Sequence, residues 1–175
     1  MQPKTVPLAA LRYYPAAQAA VAIYDHQALS SAKDISNLLN AVLELPVRKD
    51  GPLDVALGEF DRLCQLRHAI VHQSGALGVH NSLALKVPSS SPQPSVVSVD
   101  ALGFQDLAAI SHTLVRALNQ HLFQSTVNRW AASSVLTMKW AIDSARFSDL
   151  CRHLVSQTDV TDSPEAIFVR LGGQP

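Results

Sequence analysis

The chain has 175 residues, of which 47% are hydrophobic and 16% are charged. This length fits one domain with a substantial core, so we expect a single domain over residues 1–175. The 14 basic and 14 acidic side chains cancel, which excludes a general electrostatic attraction to nucleic acid or to an anionic membrane. An RNA partner would therefore need a local cluster of charge.

Helical patterns fill the first part of the chain. After Pro15, residues 16–45 contain no Gly or Pro, which predicts one long helix, or two helices with a joint near Ser30–Ser31. Asp50 has the position of an N-cap and Pro52 that of a first-turn residue. A second helix should therefore begin there and end at Gly75.

A short β-hairpin is predicted in the middle of the chain, over residues 79–99. Apolar side chains alternate over residues 79–87, which is typical of a strand, and residues 95–99 could supply a second short strand. The loop between them, residues 88–94, contains three prolines. The overall expectation is an all-α fold into which this small hairpin is inserted.

Helices are again predicted after residue 100. Asp100 should cap a helix, and residues 104–163 contain no Gly or Pro. Because sixty residues are too long for one helix in a domain of this size, we expect breaks near Gln124–Asn128 and Asp143–Ser144. Ser163 and Pro164 should start a last short helix. Trp130 and Trp140 are expected to pack in the core or at an interface.

The cysteines and the N-terminus indicate the compartment. Cys64 and Cys151 form no Cys-x-x-Cys pair and lie in helical patterns, so we expect both to be reduced and buried. Polar residues and a proline interrupt the apolar N-terminal segment, which argues against a signal peptide. No run of 18 apolar residues exists that could span a membrane. These features predict a cytoplasmic protein with no membrane partner.

One basic side chain stands in an unusual place in the second helix. On a helical projection, Arg67 falls near the middle of the apolar stripe, with Leu63 and Ile70 to one side of it. A guanidinium does not lose its charge, so it must reach water, pair with a carboxylate or face a cleft. One interpretation is a buried salt bridge within the protein, with Asp34, Glu59 or Asp61 as the partner. The other is an anion-binding cleft between two subunits.

Two histidines accompany this arginine. His68 follows Arg67 directly, and His72 lies one turn later. Imidazole exchanges a proton near neutral pH, so the set combines a phosphate-binding cation with proton-transfer groups. Cleavage of RNA by its own 2′-hydroxyl needs this combination: a base, an acid and a cation that stabilises the charged phosphorane. This chemistry requires no metal ion and no cofactor.

The segment Arg67–His72, RHAIVH, resembles the signature of the HEPN superfamily, the higher eukaryotes and prokaryotes nucleotide-binding domain. That signature is Arg, a polar residue, three further residues and His, and here the polar residue is His68. The resemblance implies an all-α HEPN-like helical bundle, with a core at about residues 15–125 and a helical extension at about 126–175. It also implies a homodimer, which we expect to form through residues 52–74.

The activity implied by the resemblance is that of a metal-independent endoribonuclease of toxin or antiviral-defence type. Its products would carry a 2′,3′-cyclic phosphate and a 5′-hydroxyl. Arg67 would engage the scissile phosphate, His72 would be the main catalytic group, and His68 would orient or assist it. The partners implied are an RNA substrate, a second copy of the chain, and an antitoxin or sensor protein.

A second match to the pattern and two alternative functions must be considered at this stage. The pattern Arg-x4-His occurs a second time at Arg116–His121, where we attribute it to chance because Ala117 fills the polar position. A non-catalytic helical adaptor that dimerises or binds RNA would keep the fold without the chemistry. A zinc site is the other alternative, although its helix lacks the Glu of a metallopeptidase. Its ligands would come from Cys64, His68, His72 and His80, with a further one from His26, His112, His121 or His153.

Overall fold

The described residues form a helical protein. The computed structural model describes residues 29–41, 43–88, 95–156, 159 and 162–174. Its helices in chain order are α1 (Ala32–Ala41), α2 (Pro52–His72), α3 (Val79–Ala84), α4 (Ala101–Ala132), α5 (Trp140–Leu154) and α6 (Pro164–Arg170). Across these ranges, extended backbone pairs only in isolated bridges. The predicted all-α fold is therefore confirmed. The predicted helix start at Pro15 lies outside the described residues.

The first core cluster joins α1, α2 and the N-terminal half of α4. Apolar side chains spaced four residues apart point to the same side of a helix, and this spacing recurs in Ile35 and Leu39 and in Leu53 and Leu57. Leu114 of α4 closes the cluster against them. The C-terminal turns of α2 extend beyond this cluster, and they carry the Arg67–His72 segment.

The start of α2 differs slightly from the prediction. Gly51 is the N-cap residue and Pro52 the first helical residue. Asp50 is not the cap: its φ is +57°, and its backbone N–H donates to Asp54 Oδ2 at 2.9 Å. The helix ends at His72, and Gly75 follows with a φ of +87°, close to the predicted end.

The long helix α4 is continuous. Its cap is as predicted, because Asp100 Oδ1 accepts a hydrogen bond from the Gly103 N–H at 2.7 Å. The predicted break near Gln124–Asn128 is wrong, since the helix runs unbroken to Ala132. Gln124 Nε2 donates to Asn128 Oδ1 at 3.2 Å, a contact one turn apart that supports the helix at this point. The 32 residues span about 48 Å at the usual helical rise.

A second core cluster joins the C-terminal half of α4 with α5 and α6. Its buried side chains include Phe147, Phe168 and Cys151, and both tryptophans pack against it as expected. The predicted break at Asp143–Ser144 is wrong because the chain leaves the helix earlier, at residues 133–139. The cap predicted at the start of α6 is confirmed, since the Ser163 side chain accepts from the Ala166 N–H.

Asp143 is buried at the start of α5 and organises the turn that precedes it. Its Oδ2 accepts hydrogen bonds from the Thr137 N–H at 2.8 Å and from the Thr137 hydroxyl at 3.1 Å. It also accepts from the Lys139 N–H at 3.3 Å. A buried carboxylate is tolerated here because three donors replace its lost water.

The β-hairpin predicted at residues 79–99 is wrong. Residues 79–84 form the helix α3, which Gly78 precedes as N-cap. The only antiparallel pairing here among the described residues is the isolated bridge between Ala76 and Val96. Alternation of apolar side chains does not make a strand without a partner strand to complete its hydrogen bonds. Residues 89–94 of the predicted loop lie outside the described residues.

The described helices include none that is long and apolar enough to cross a membrane.

Candidate functional site

The three residues predicted as the site line one groove. Arg67, His68 and His72 lie along the C-terminal turns of α2, beside α3, in an open groove of about 400 Å³. Among the described residues that line it, all except Cys64 have a polar or charged side chain. The other lining residues are Ser30, Ser31, Asp61, Cys64, Gln65, His80 and Asn81. The groove is large enough for a phosphodiester with part of a flanking nucleotide.

Arg67 is exposed because the core ends before it along α2. Phe60 and Leu63 project within about 40° of Arg67 on the helix, so the arginine does continue the apolar face. However, Phe60 is the last α2 residue that packs against the first core cluster. Of the environments that the sequence left open for Arg67, the structure has the side chain exposed and lining the groove.

The alternative of a structural salt bridge finds no support in the described part of the chain. Glu59 pairs with Arg62, at 3.2 Å between Oε2 and Nη1. Asp34 Oδ2 accepts a hydrogen bond from the Ser31 hydroxyl at 2.7 Å, and Ser31 caps α1 because its Oγ accepts from the Asp34 N–H at 3.1 Å. Asp61 lines the groove without an ion pair to Arg67. Across the described residues no carboxylate pairs with Arg67, and its exposed side chain lines the groove.

His68 and His72 stand next to each other on the exposed side of α2. Their ring centroids are 4.8 Å apart, and the ring planes are inclined at 49°. This contact follows from their spacing of four residues, which places them one above the other on the helix. Both imidazoles are exposed, so each is accessible to a ligand in the groove.

The helix α3 closes one side of the groove and is anchored by Asn81. This side chain is only 2% exposed, and its Nδ2 donates to the backbone carbonyl of Gln65 at 3.0 Å. A second link joins the Gly78 N–H to Gln73 Oε1 at 2.9 Å. The sequence did not reveal these contacts, since six residues of helix are too few for a periodic pattern. As a result, His80 lines the groove from a different helix.

Cys64 contributes a neutral group to the groove. Burial raises the pKa of its thiol above the usual value, and the nearby charge of Asp61 raises it further, with a smaller contribution from Asp34. Arg67 acts in the opposite direction and does not reverse the shift. Cys64 is only half-buried, contrary to the prediction, whereas Cys151 is buried as predicted, and both cysteines are free. A protonated thiol is a poor nucleophile, which leaves the imidazoles as the groups for proton transfer.

The ligands suggested for a zinc site do not assemble in the described part of the chain. No three His, Cys, Asp or Glu side chains there lie close enough together to hold a metal ion. Among the suggested ligands, His26 lies outside the described residues.

The second Arg-x4-His pattern lies elsewhere and its side chains are occupied. Arg116 forms an ion pair with Asp159. His121 Nε2 lies 3.4 Å from the Leu45 carbonyl oxygen, and this ring is half-buried. Neither side chain lines the groove of Arg67. The two matches therefore differ in structure: the first lines an open groove beside other imidazoles, whereas in the second Arg116 is exposed and ion-paired and His121 is half-buried.

In comparisons with known proteins, no family model matches the chain, and no curated protein and no solved structure matches it.

Proposed function

We propose that this protein is a metal-independent endoribonuclease of toxin or antiviral-defence type, and that the groove at the end of α2 is its active site. The observation that supports this most directly is the arrangement of Arg67. Its guanidinium is exposed, has no carboxylate partner within the described residues, and shares an open groove with His68 and His72. A cation left unpaired beside imidazoles is suited to a phosphodiester.

In the proposed reaction, one imidazole removes a proton from the RNA and another donates a proton to it. A neutral imidazole takes the proton of the 2′-hydroxyl, and the 2′-oxygen attacks phosphorus. The bond from phosphorus to the 5′-oxygen breaks, and a protonated imidazole donates its proton to that leaving oxygen. Arg67 donates hydrogen bonds to the non-bridging oxygens, whose negative charge increases in the transition state. The products are a 2′,3′-cyclic phosphate and a 5′-hydroxyl.

A homodimer is part of the proposal. Apolar side chains on α2 and α3, the helices that carry the groove, are widely exposed: Val71 at 57%, Val79 at 79% and Leu83 at 73%. A second copy that covered them would remove apolar surface from water and would bring two grooves together. Such an enzyme would act in the cytoplasm on RNA, and an antitoxin or sensor protein would control it.

A non-catalytic adaptor is the second candidate. The same exposed apolar residues would serve a module that only dimerises or binds RNA, and a formal net charge of zero fits an interaction module. In that case the groove would bind phosphate without cleaving it. The two candidates differ only in whether the imidazoles transfer protons.

The test compares RNA cleavage by the wild type and by Arg67→Ala and His72→Ala, with EDTA present throughout. We expect each variant to lose roughly 10²- to 10⁴-fold in rate, which is the usual contribution of a charge-stabilising or proton-transfer group. The matched control is Arg62→Ala, which removes an exposed arginine of the same helix that pairs with Glu59 and does not line the groove. Circular dichroism checks that every variant keeps its helices.

The controls also decide between the candidates. If Arg62→Ala cleaves like the wild type and the two groove variants do not, the enzyme proposal stands. If the wild type binds RNA without cleaving it, and Arg67→Ala weakens this binding, the protein is an adaptor.

A further inference from the structure

We propose that His80 is a third catalytic histidine of the groove and that it works with His72 as the second member of an acid–base pair. This inference rests on the proposed ribonuclease function and adds a residue outside the Arg67–His72 segment. His80 lies on α3 and lines the same groove as Arg67, His68 and His72. It is exposed, so its ring is free to meet a ligand there.

The backbone that carries His80 is fixed on both sides. The neighbouring Asn81 is buried and donates to the Gln65 carbonyl at 3.0 Å, which ties α3 to α2. On the other side, Gly78 lies so close to Gln73 that an added Cβ would be 3.0 Å from Oε1. Glycine allows this approach, and Gln73 Oε1 accepts from the Gly78 N–H. An imidazole on a fixed element can be held in one geometry for catalysis.

The proposed reaction is best served by an acid and a base that are carried by two different helices. In attack by the 2′-hydroxyl, the entering 2′-oxygen and the leaving 5′-oxygen are on opposite sides of phosphorus. His68 and His72 are neighbours on one helix, with ring centroids 4.8 Å apart, so they approach a phosphate from one side. His80 approaches from another helix. One of His72 and His80 therefore takes the 2′-hydroxyl proton, and the other supplies a proton to the 5′-oxygen.

Other charges that face His80 in the groove come from α2. They are Asp61 and Arg67, together with the titratable groups His68, His72 and Cys64. From the described part of the segment before α1, the hydroxyls of Ser30 and Ser31 also line the groove. With His80 on the same site, one protomer carries both the base and the acid, and a second subunit is not needed to supply either.

The first experiment measures RNA cleavage against pH for the wild type, His80→Gln and His72→Gln. Glutamine keeps a hydrogen-bonding side chain but does not transfer protons near neutral pH. We expect a bell-shaped profile for the wild type, and for His80→Gln a rate lower by about 10²-fold with one limb of the bell lost. The matched control is His112→Gln, an exposed histidine of α4 that does not line the groove. A wild-type rate with both limbs in His80→Gln overturns the proposal.

The second experiment does not depend on cleavage. Inorganic phosphate is titrated into the wild-type protein while the imidazole NMR signals are followed. The signals of His72 and His80 should shift with the same midpoint, the His112 signal should not, and Arg67→Ala should weaken both shifts. If His80 does not respond while His72 does, the inference is wrong whatever the protein does to RNA. If both respond and the wild type leaves RNA intact, the ribonuclease function fails, and the proton-transfer role of His80 fails with it.

Discussion

Protonation of single residues decides which groups of the groove are available for chemistry. Cys64 lies among the histidines, and its raised pKa keeps it as a neutral thiol near neutral pH. Imidazoles exchange protons in this pH range, so the division of roles follows from side-chain chemistry and burial. Cys64 therefore fills space between the groove and the protein interior and takes no part in the proposed reaction.

The rate at which Cys64 is alkylated should show the raised pKa of its thiol directly. Only the thiolate reacts with iodoacetamide, and a raised pKa lowers the thiolate fraction at any pH below it. We expect the rate for Cys64 to rise with pH and to reach its midpoint above that of a free cysteine. Peptide mass spectrometry after timed labelling follows Cys64 and Cys151 separately. Cys151 is the internal reference, because burial raises its pKa to about 11. A Cys64 midpoint at or below that of free cysteine contradicts this account.

The position of Arg67 was predictable from the sequence, whereas its exposure was not. Helical periodicity places the arginine on the face of Phe60 and Leu63, and that placement agrees with the structure. Exposure depends on how far along α2 the residues of α1 and α4 extend, and these are distant in the sequence. The last contact of α2 with this core is at Phe60. For the same reason the sequence alone left a structural salt bridge open as an alternative.

Among the helices, the shortest one has the largest effect on the groove. α3 has six residues, and a helix of this length has little stability of its own. Its position depends on the buried Asn81, which satisfies the Gln65 carbonyl. The alternating apolar residues misled the sequence analysis here, because Val79 and Leu83 are exposed on a helix and do not face a partner strand.

Replacing Asn81 with Ala should loosen α3 selectively. The change removes a buried hydrogen bond and leaves the Gln65 carbonyl without this donor, at a cost of about 1–3 kcal/mol. We expect faster hydrogen exchange at the α3 amides, while amides in the second core cluster keep their protection. RNA cleavage should fall as His80 loses its fixed position. The control, Asn128→Ala, changes an exposed asparagine of α4 and should alter neither hydrogen exchange in α3 nor RNA cleavage. Unchanged exchange in α3 contradicts the anchoring role of Asn81.

In the long helix α4, sequence analysis failed in a different way, because it predicted breaks that the structure does not have. Breaks in α4 were expected from its length alone, yet no residue after Gly103 disrupts a helix there. Both core clusters pack against it, and these long-range contacts stabilise a length that is unusual for a small domain. The predicted division of the domain at about residue 125 stays a prediction.

At the scale of the whole molecule, different helices build the groove and the second core cluster. In the described part of the chain, α2, α3 and the segment before α1 line the groove, whereas α5 and α6 pack against the C-terminal half of α4. Val71, Val79 and Leu83 are exposed on the helices that carry the groove, and these residues would form the surface for the proposed second subunit.

Leu83→Asp tests the proposed dimer. A carboxylate without a partner in an apolar interface costs roughly 3 kcal/mol, which corresponds to about a 100-fold weaker dimer. We expect light scattering after gel filtration to show a dimer for the wild type and a monomer for Leu83→Asp. Ile142→Asp is the matched control, because Ile142 is similarly exposed on α5, outside the groove. A wild type that is monomeric while it cleaves RNA shows that the dimer is not required.

The chemistry of the RNA ends tests the central claim most directly. After induced expression, RNA is isolated and its new ends are mapped, with Arg67→Ala expressed in parallel. This account predicts new 2′,3′-cyclic phosphate and 5′-hydroxyl ends with the wild type and their absence with Arg67→Ala. New ends that carry 5′-phosphate and 3′-hydroxyl groups, or the same new ends in Arg67→Ala cells, would contradict the assignment of this groove as a ribonuclease site.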